Sequence, residues 1–294
     1  MQPLVAIILV NYNGFEDTVE CVKSLKNIHY RNYIIVVVDN GSNQKNIKEI
    51  EYLKANTEYV ESVQNLGFSG GNNLGIKYCQ KYNPDFYLLL NNDTLVENDF
   101  LDILVETYDS ENIGIVCGKI KFCDLPSKIW FAGGEINRKN GKVKHWGYFN
   151  DDNYKFDYNQ FVTFATGCMW LIPKTTIDIV GYLEEDYFLY CEDTDYCYRV
   201  LNKGLKILYN GKACIYHKIG SSAGRESDLQ NYYIIRNSLE VVRRNVKIKF
   251  LPYTYIYLSN IKKVLQKKIL FKTFLEAISD FKCHKVGKRL SNDK

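Results

Sequence analysis

Along the first 245 residues, apolar positions come in uninterrupted runs that stop abruptly at polar ones. The runs at 4–10 (LVAIILV), 33–38 (YIIVVV) and 87–90 (YLLL) end in Asn11-Tyr12-Asn13-Gly14, Asp39-Asn40-Gly41-Ser42 and Asn91-Asn92-Asp93. Short continuous runs of this kind predict strands buried on both faces, as in a parallel sheet. Between them, helical spacing predicts helices at 16–25, around 46–55 and at 74–82, with a short strand at 60–63. Further on, a helix is expected at 98–108, strands at 114–122 and 164–173, and a helix running from the acidic 192–195 through 201. Short strands at 205–208 and 213–217 and a helix at 229–245 complete the pattern. Residues 125–161, rich in glycine, asparagine and aromatics, read as a hairpin-like insertion. Strands alternating with helices predict an α/β fold built on a mainly parallel sheet with right-handed crossovers.

In such sheets ligands sit at the carboxyl ends of the strands, where this chain places its polar clusters. Asp93, the first carboxylate after the central strand, suits a hard cation and thereby phosphate oxygens; standing alone, Asn91-Asn92-Asp93 would be turn residues. Asp39 ends the second strand and can accept a hydrogen bond from a ring N–H of a base, with Asn11 and Asn13 lining the slot; a plain turn is the alternative. The glycine-rich 65–73 (NLGFSGGNN) precedes a predicted helix and permits close backbone approach to a ligand. It lacks the dinucleotide spacing and could equally be a tight turn and helix cap. Glu192-Asp193 could be a general base pair or an acidic first turn stabilised by the helix dipole.

Composition narrows the setting. With 294 residues, 46% hydrophobic and 24% charged, the chain can bury a full core. Nine cysteines without a CxxC pair read as buried free thiols in a reducing cytosol. No signal peptide is expected, and no window of about 18 apolar residues predicts a spanning helix. Residues 246–294 hold 12 lysines and arginines against 3 acidic residues, a net of +9, whereas the first 245 carry a net of −5. In that tail, residues 261–278 predict a basic amphipathic helix, suited to an anionic membrane surface or packed on the domain with a solvated lysine face. No motif supports nucleic acid as its partner.

In order, VNYNG, VVDNGS, NLGFSGGNN, LLLNNDT, FLYCEDTDYCYR and YHKIGSS resemble glycosyltransferase family 2, the inverting enzymes of the GT-A fold, over about residues 4–245. Within the family the chain is most similar to bacterial rhamnosyltransferase-type members. The resemblance implies a GT-A domain at 1–245, with a nucleotide-binding half at about 1–95, an acceptor half at about 96–245, and a helical basic extension at 246–294. It implies nucleotide-sugar contacts from Asn11, Tyr12, Asn13, Asp39, Asn65, Gly71, Asn72, Asn73, Asn91 and Asn92. Asp93, in a D-x-D motif with asparagine in its first place, and His217 would hold Mg2+ or Mn2+. Asp193 would be the general base with Glu192 beside it, while Asp195 and Arg199 anchor the helix. Trp130, Gly133, Gly134, Gly167 and Trp170 would form the acceptor side; Trp170, inside an apolar strand, could equally be core.

The implied reaction moves a sugar from dTDP-rhamnose, or from a UDP-hexose or UDP-N-acetylhexosamine, to a hydroxyl of a cell-surface glycan or lipid-linked oligosaccharide. Its implied place is the cytoplasm, peripheral to the inner face of the cell membrane. A sugar-phosphate nucleotidyltransferase is disfavoured by NYNGFED after the first strand, where that class carries a glycine-rich, arginine-bearing loop. A non-catalytic sugar-nucleotide-binding protein is disfavoured by the intact Glu192-Asp193 pair.

Overall fold

The computed structural model describes residues 2–44, 46–137, 139–218 and 227–289. The first half alternates Val5–Asn11 (β1), Phe15–Leu25 (α1), Tyr33–Asp39 (β2), Ile47–Asn56 (α2), Glu58–Glu61 (β3), Gly67–Cys79 (α3) and Phe86–Asn91 (β4). Then come Thr94–Val96 (β5), Phe100–Thr107 (α4) and Ile113–Phe122 (β6). The insertion contributes Ile129–Phe131 (β7), the hairpin Gly134–Ile136 (β8) and Val143–His145 (β9), and Asn159–Val162 (β10). Met169–Pro173 (β11), Lys174–Val180 (α5), Glu192–Asn202 (α6) and Lys206–His217 (β12) follow. The described chain ends in three helices, Asp228–Asn245 (α7), Phe250–Leu265 (α8) and Phe271–Lys282 (α9).

The main sheet runs β10-β12-β6-β11-β4-β1-β2-β3. Strands β3, β2, β1 and β4 pair in parallel, as do β6 and β12, while β11 and β10 run antiparallel to their neighbours. The expected sheet is therefore mainly parallel but mixed. Its centre is dry: every residue of β1 from Val5 to Leu9 is fully buried, as are Leu88 and Leu89 of β4. The predicted strands at 205–208 and 213–217 are one strand, β12, whose register against β6 shifts between Asn210 and Cys214. A bulge lets a single strand bend while it keeps its partner.

One difference changes the reading of the glycines. Helix α3 starts at Gly67 rather than Leu74, so the glycine-rich stretch is itself helical. A Cβ on Gly71 would lie 2.6 Å from Val10 Cγ1, and one on Gly75 would lie 2.5 Å from Ile8 Cγ2. The glycines let the α3 backbone close onto β1. That contact offsets the cost of about 1 kcal/mol that each glycine imposes on a helix.

The tail also departs from expectation. The single helix predicted over 261–278 is broken in two. Lys267, at φ +57°, ends α8 in a Schellman motif: Lys267 N–H donates to Val264 O and Lys268 N–H to Lys263 O, both at 2.9 Å. Ile256 of α8, Ile269, and Phe274 and Ala277 of α9 are buried with Tyr232, Tyr233, Ile235 and Leu239 of α7 in a second apolar cluster. No helix among the described residues is long and apolar enough to cross a membrane.

Gly75→Ala tests the close packing. The substitution gains helix propensity of about 1 kcal/mol but forces a methyl into Ile8 and Val38, an overpacking cost of about 1–3 kcal/mol. A lower urea midpoint with an unchanged m-value is expected.

Candidate active site

Pairing in register brings three strand ends together: Asn11 lies opposite Asp39, and Val10 opposite Asn91. A cleft of about 270 Å3 opens there. Tyr12, Asn65, Asn72, Asn91, Asn92, Asp93 and Gly167 line it, so seven of the residues singled out in the sequence share one wall. Tyr12, one of the lining residues, is 47% exposed.

Asn11, Asn13 and Asp39 build the loops behind that wall. The Asn11 amide donates to Ser42 Oγ (3.3 Å) and its carbonyl accepts from Gly14 N–H (3.1 Å) and the Thr18 hydroxyl (3.0 Å). Asn13, at φ +61°, accepts from the backbone N–H of Asn43 and Gln44. Asp39 is 1% exposed; its carboxylate accepts from Ser42 N–H (3.1 Å) and the Tyr59 hydroxyl (3.3 Å). Gly71 serves the α3–β1 contact. Asn73 donates to Leu183 O and Glu185 Oε1 and accepts from Leu183 N–H, which ties α3 to the 183–185 turn.

Asp93 meets His217 because β5 pairs with the end of β12, Thr94 opposite His217, and Lys218 N–H donates to Asp93 O (2.9 Å). Asp93 Oδ1 lies 3.1 Å from His217 Nε2. Yet among the described residues this buried oxygen accepts no well-formed hydrogen bond, and His217 Nδ1 likewise has no partner there. Two ligands set at right angles on a divalent cation, at metal–oxygen distances near 2.1 Å, are about 3.0 Å apart, so the residues present fit such an ion. Among the described residues no third histidine, cysteine or carboxylate completes the set. Mg2+-type sites commonly take their remaining ligands from substrate phosphates and water. The Trp130 ring packs edge-on against His217, with centroids 4.9 Å apart. The sequence motif that contains His217 continues into residues 219–222, which lie outside the described residues.

The acidic pair lies beside Gly167, which itself lines the cleft. The Gly167 N–H hydrogen-bonds Asp193, which also accepts from Thr194 N–H (2.6 Å) and the Thr194 hydroxyl (3.2 Å). A Cβ on Gly167 would press on Phe68, at 3.0 Å, and sit 3.7 Å from Asp193 Cβ. Burial pushes both carboxyls above the ordinary range; the neighbouring Asp193 charge adds to the shift of Glu192, whereas hydrogen bonds from Thr194 and Gly167 restrain that of Asp193. Glu192 Oε2 is buried with no hydrogen-bond partner among the described residues. Asp195, by contrast, is satisfied by Arg199 Nε (2.8 Å), the Tyr187 hydroxyl (2.9 Å) and Asn245 (2.6 Å). The motif thus holds one ion-paired structural acid and two acids whose only partners among the described residues are uncharged, and perturbed carboxyls of that kind are candidates for proton transfer.

The approach to this pair is strained. Phe188, Tyr190 and Cys191 all have positive φ, at +63°, +65° and +71°. The buried Asn237 amide of α7 holds them, donating to the carbonyls of Tyr187 (2.9 Å), Leu189 (2.8 Å) and Tyr190 (2.8 Å). Arg236 donates to Asn237 Oδ1, to Tyr187 O and to Gly287 O. Sequence reasoning missed Asn237, although it follows Arg236 in YYIIRN. It also missed Asn40 and Phe68, which line the cleft from inside VVDNGS and NLGFSGG.

Three residues expected on the acceptor side do something else. Trp170 is fully buried and stacks on Tyr196 at 5.6 Å, so it belongs to the core and cannot face a sugar. Gly133, at φ +91°, makes room for Trp146 and Val162, and Gly134 for Phe164 and the β9 backbone. Gly167 remains at the cleft, and Trp130 packs on His217, the neighbour of Asp93.

A mixed α/β sheet with this cleft across its parallel strand ends defines a GT-A architecture. Residues 6–179 match the profile of glycosyl transferase family 2, more than half of the chain, and the chain belongs to that family. Among solved structures, a mannosyltransferase of Pyrobaculum calidifontis in complex with GDP-Man and Mn2+ superposes with a TM-score of 0.63 at 12% identity, over 96% of this chain and 76% of that one. GalNAc-T7 with UDP, GalNAc and Mn2+ gives 0.68 at 17%, over 96% and 58%. Among curated proteins, a low-salt glycan biosynthesis hexosyltransferase of Haloferax volcanii is 27% identical over 69% of this chain. The chain spans 63% of that relative's length, less than two thirds. The dTDP-rhamnosyl transferase RfbF of Shigella flexneri is 25% identical over 81% of this chain and 79% of its own, and the rhamnosyltransferase WbbL of Escherichia coli is 26% identical over 70% and 80%.

Two outcomes follow from the acidic pair and its support. A carboxyl raised by folding contributes stability that is full below its unfolded value and is lost as pH rises through its folded value. Stability should therefore fall as pH rises from the ordinary carboxylate range toward neutrality and just above, and Glu192→Gln should flatten that fall in urea titrations. Asn237→Ala should cost about 1–3 kcal/mol of stability and lower kcat more than it raises KM for the donor.

Proposed function

We propose that the protein is an inverting, metal-dependent glycosyltransferase that moves a sugar from a nucleoside diphosphate donor to a hydroxyl of a glycan. The observation that carries this reading is a cleft lined by Asp93, which meets His217, and by Gly167, whose N–H bonds Asp193 beside the buried Glu192. In this reading the base lies in the slot beside Tyr12, with its ring facing that of the tyrosine. Asn65, Asn72, Asn91 and Asn92 serve the ribose and diphosphate. A divalent cation held by Asp93 and His217 would offset the charge of the leaving diphosphate. Asp193, deprotonated, takes the proton of the acceptor hydroxyl; the oxygen bonds to the anomeric carbon from the opposite face, and the bond from that carbon to the diphosphate breaks. Glu192, whose carboxyl is pushed up by burial and whose Oε2 has no partner among the described residues, would stay protonated beside it and spare the site a second buried negative charge. Trp130, packed on His217, offers an aromatic edge to the acceptor side.

The named activities of the Shigella and Escherichia relatives support dTDP-rhamnose as donor, and that of the Haloferax relative supports a hexose. The acceptor proposed is a cell-surface glycan under construction, on a lipid carrier at the inner face of the membrane. Residues 1–245 would be the catalytic domain and 246–294 its appendage.

The test is donor hydrolysis by the purified full chain with Mn2+ and a panel of dTDP- and UDP-sugars, read as nucleoside diphosphate released. Release from one donor, lost at least about a hundredfold in both Asp193→Asn and Asp93→Ala and abolished by a chelator, is expected. Calorimetry that finds no binding of any sugar nucleotide would overturn the reading.

A further inference from the structure

Helix α8 is anchored by one side only. Pro252, Ile256 and Asn260, at four-residue steps, are buried. The opposite side carries Leu251, Leu258 and Leu265 at seven-residue steps, which puts them on one stripe. These three are 55%, 62% and 79% exposed, and Phe250 and Ile261 flank them at 76% and 41%. A solvated helix face normally carries polar side chains here.

The groove beside the stripe, about 570 Å3, is floored by Leu251, Tyr255 and Leu258 and edged by Lys262 of α8 and Lys139 of the β8–β9 turn. Lys267 and Lys268 stand in the Schellman turn just beyond, followed by the exposed Leu270 and Phe271. Lys262, Lys267 and Lys268 form no ion pair with any described residue. Uncovered leucines interleaved with unpaired ammonium groups match the two layers of a lipid surface: leucines reach the acyl boundary while lysine stems lie along it with their charges at phosphate level. A second copy of the chain fits poorly, since it would oppose two surfaces that share the tail's net charge of +9.

We propose that the outer face of α8, with the turn after it, docks on an anionic lipid bilayer and lies in its interface without crossing it. This deepens the membrane placement proposed above and rests on it, but its test does not use catalysis. The full chain is sedimented with vesicles of phosphatidylcholine, alone or mixed with phosphatidylglycerol. Binding to the mixed vesicles that weakens as salt rises is expected. Leu251→Ser/Leu258→Ser/Leu265→Ser should lower the partition coefficient at least about tenfold while the chain stays folded by circular dichroism, because the three side chains are more than half exposed. Lys262→Glu/Lys268→Glu should lose the preference for anionic vesicles. No sedimentation with either vesicle, equal binding by the triple-serine variant, or a dimer in light scattering that the same variant converts to monomer would each overturn the proposal. Donor hydrolysis without vesicles, on the same samples, reports the catalytic reading separately.

Discussion

Phe188, Tyr190 and Cys191 occupy backbone conformations that cost on the order of 1–3 kcal/mol each for residues with a Cβ, and they lead directly into Glu192 and Asp193. Local bonds from Phe188 N–H to Glu185 O and from Leu189 N–H to Tyr187 O, and one from Phe68 N–H of α3 to Phe188 O, offset part of that cost. Further support comes from one buried amide of α7, that of Asn237, shared among three carbonyls, together with Arg236 behind it. Hydrogen bonds worth about 1 kcal/mol each in net terms are of the size needed. The approach to the acidic pair is therefore held in part from some 45 residues downstream of it. The same Arg236 binds Gly287 O and so links the turn to the end of the described tail.

The second constraint is electrostatic. Two carboxyls are buried with no cation beside them among the described residues, while Asp195, two residues on, has Arg199. Because the unfavourable charge is confined to Glu192 and Asp193, ionisation there is easily biased by what arrives in the cleft. A buried proton held near neutrality is what a general base exchanges with its substrate.

The strands and their polar ends were legible because uninterrupted apolar runs on a buried sheet leave few alternatives, and four of the residues at those ends, Tyr12, Asn91, Asn92 and Asp93, do line the cleft. Where the reading failed, tertiary contact had overridden local signals. The glycines of α3 look like a loop until β1 is known to lie 2.6 Å from a hypothetical Cβ. Trp170 looks like a sugar platform until its burial against Tyr196 is known. The break at Lys267 has no proline or glycine to mark it, since the left-handed cap there is a lysine. Asn237 had no local signal at all, because its partners are backbone carbonyls of a distant turn.

The pairing of β5 with the end of β12 has a consequence for the order of assembly. Thr94 and His217 are partners more than 120 residues apart, and the strand that carries the histidine is the last of the sheet. On a ribosome, the whole nucleotide-facing half can pack before residue 217 emerges, since chains fold from the N-terminus as they are made. The nascent protein would thus own a donor cleft well before it owns the second side chain of its Asp93 cluster. The meeting of Asp93 with His217 therefore waits on the last strand of the described sheet.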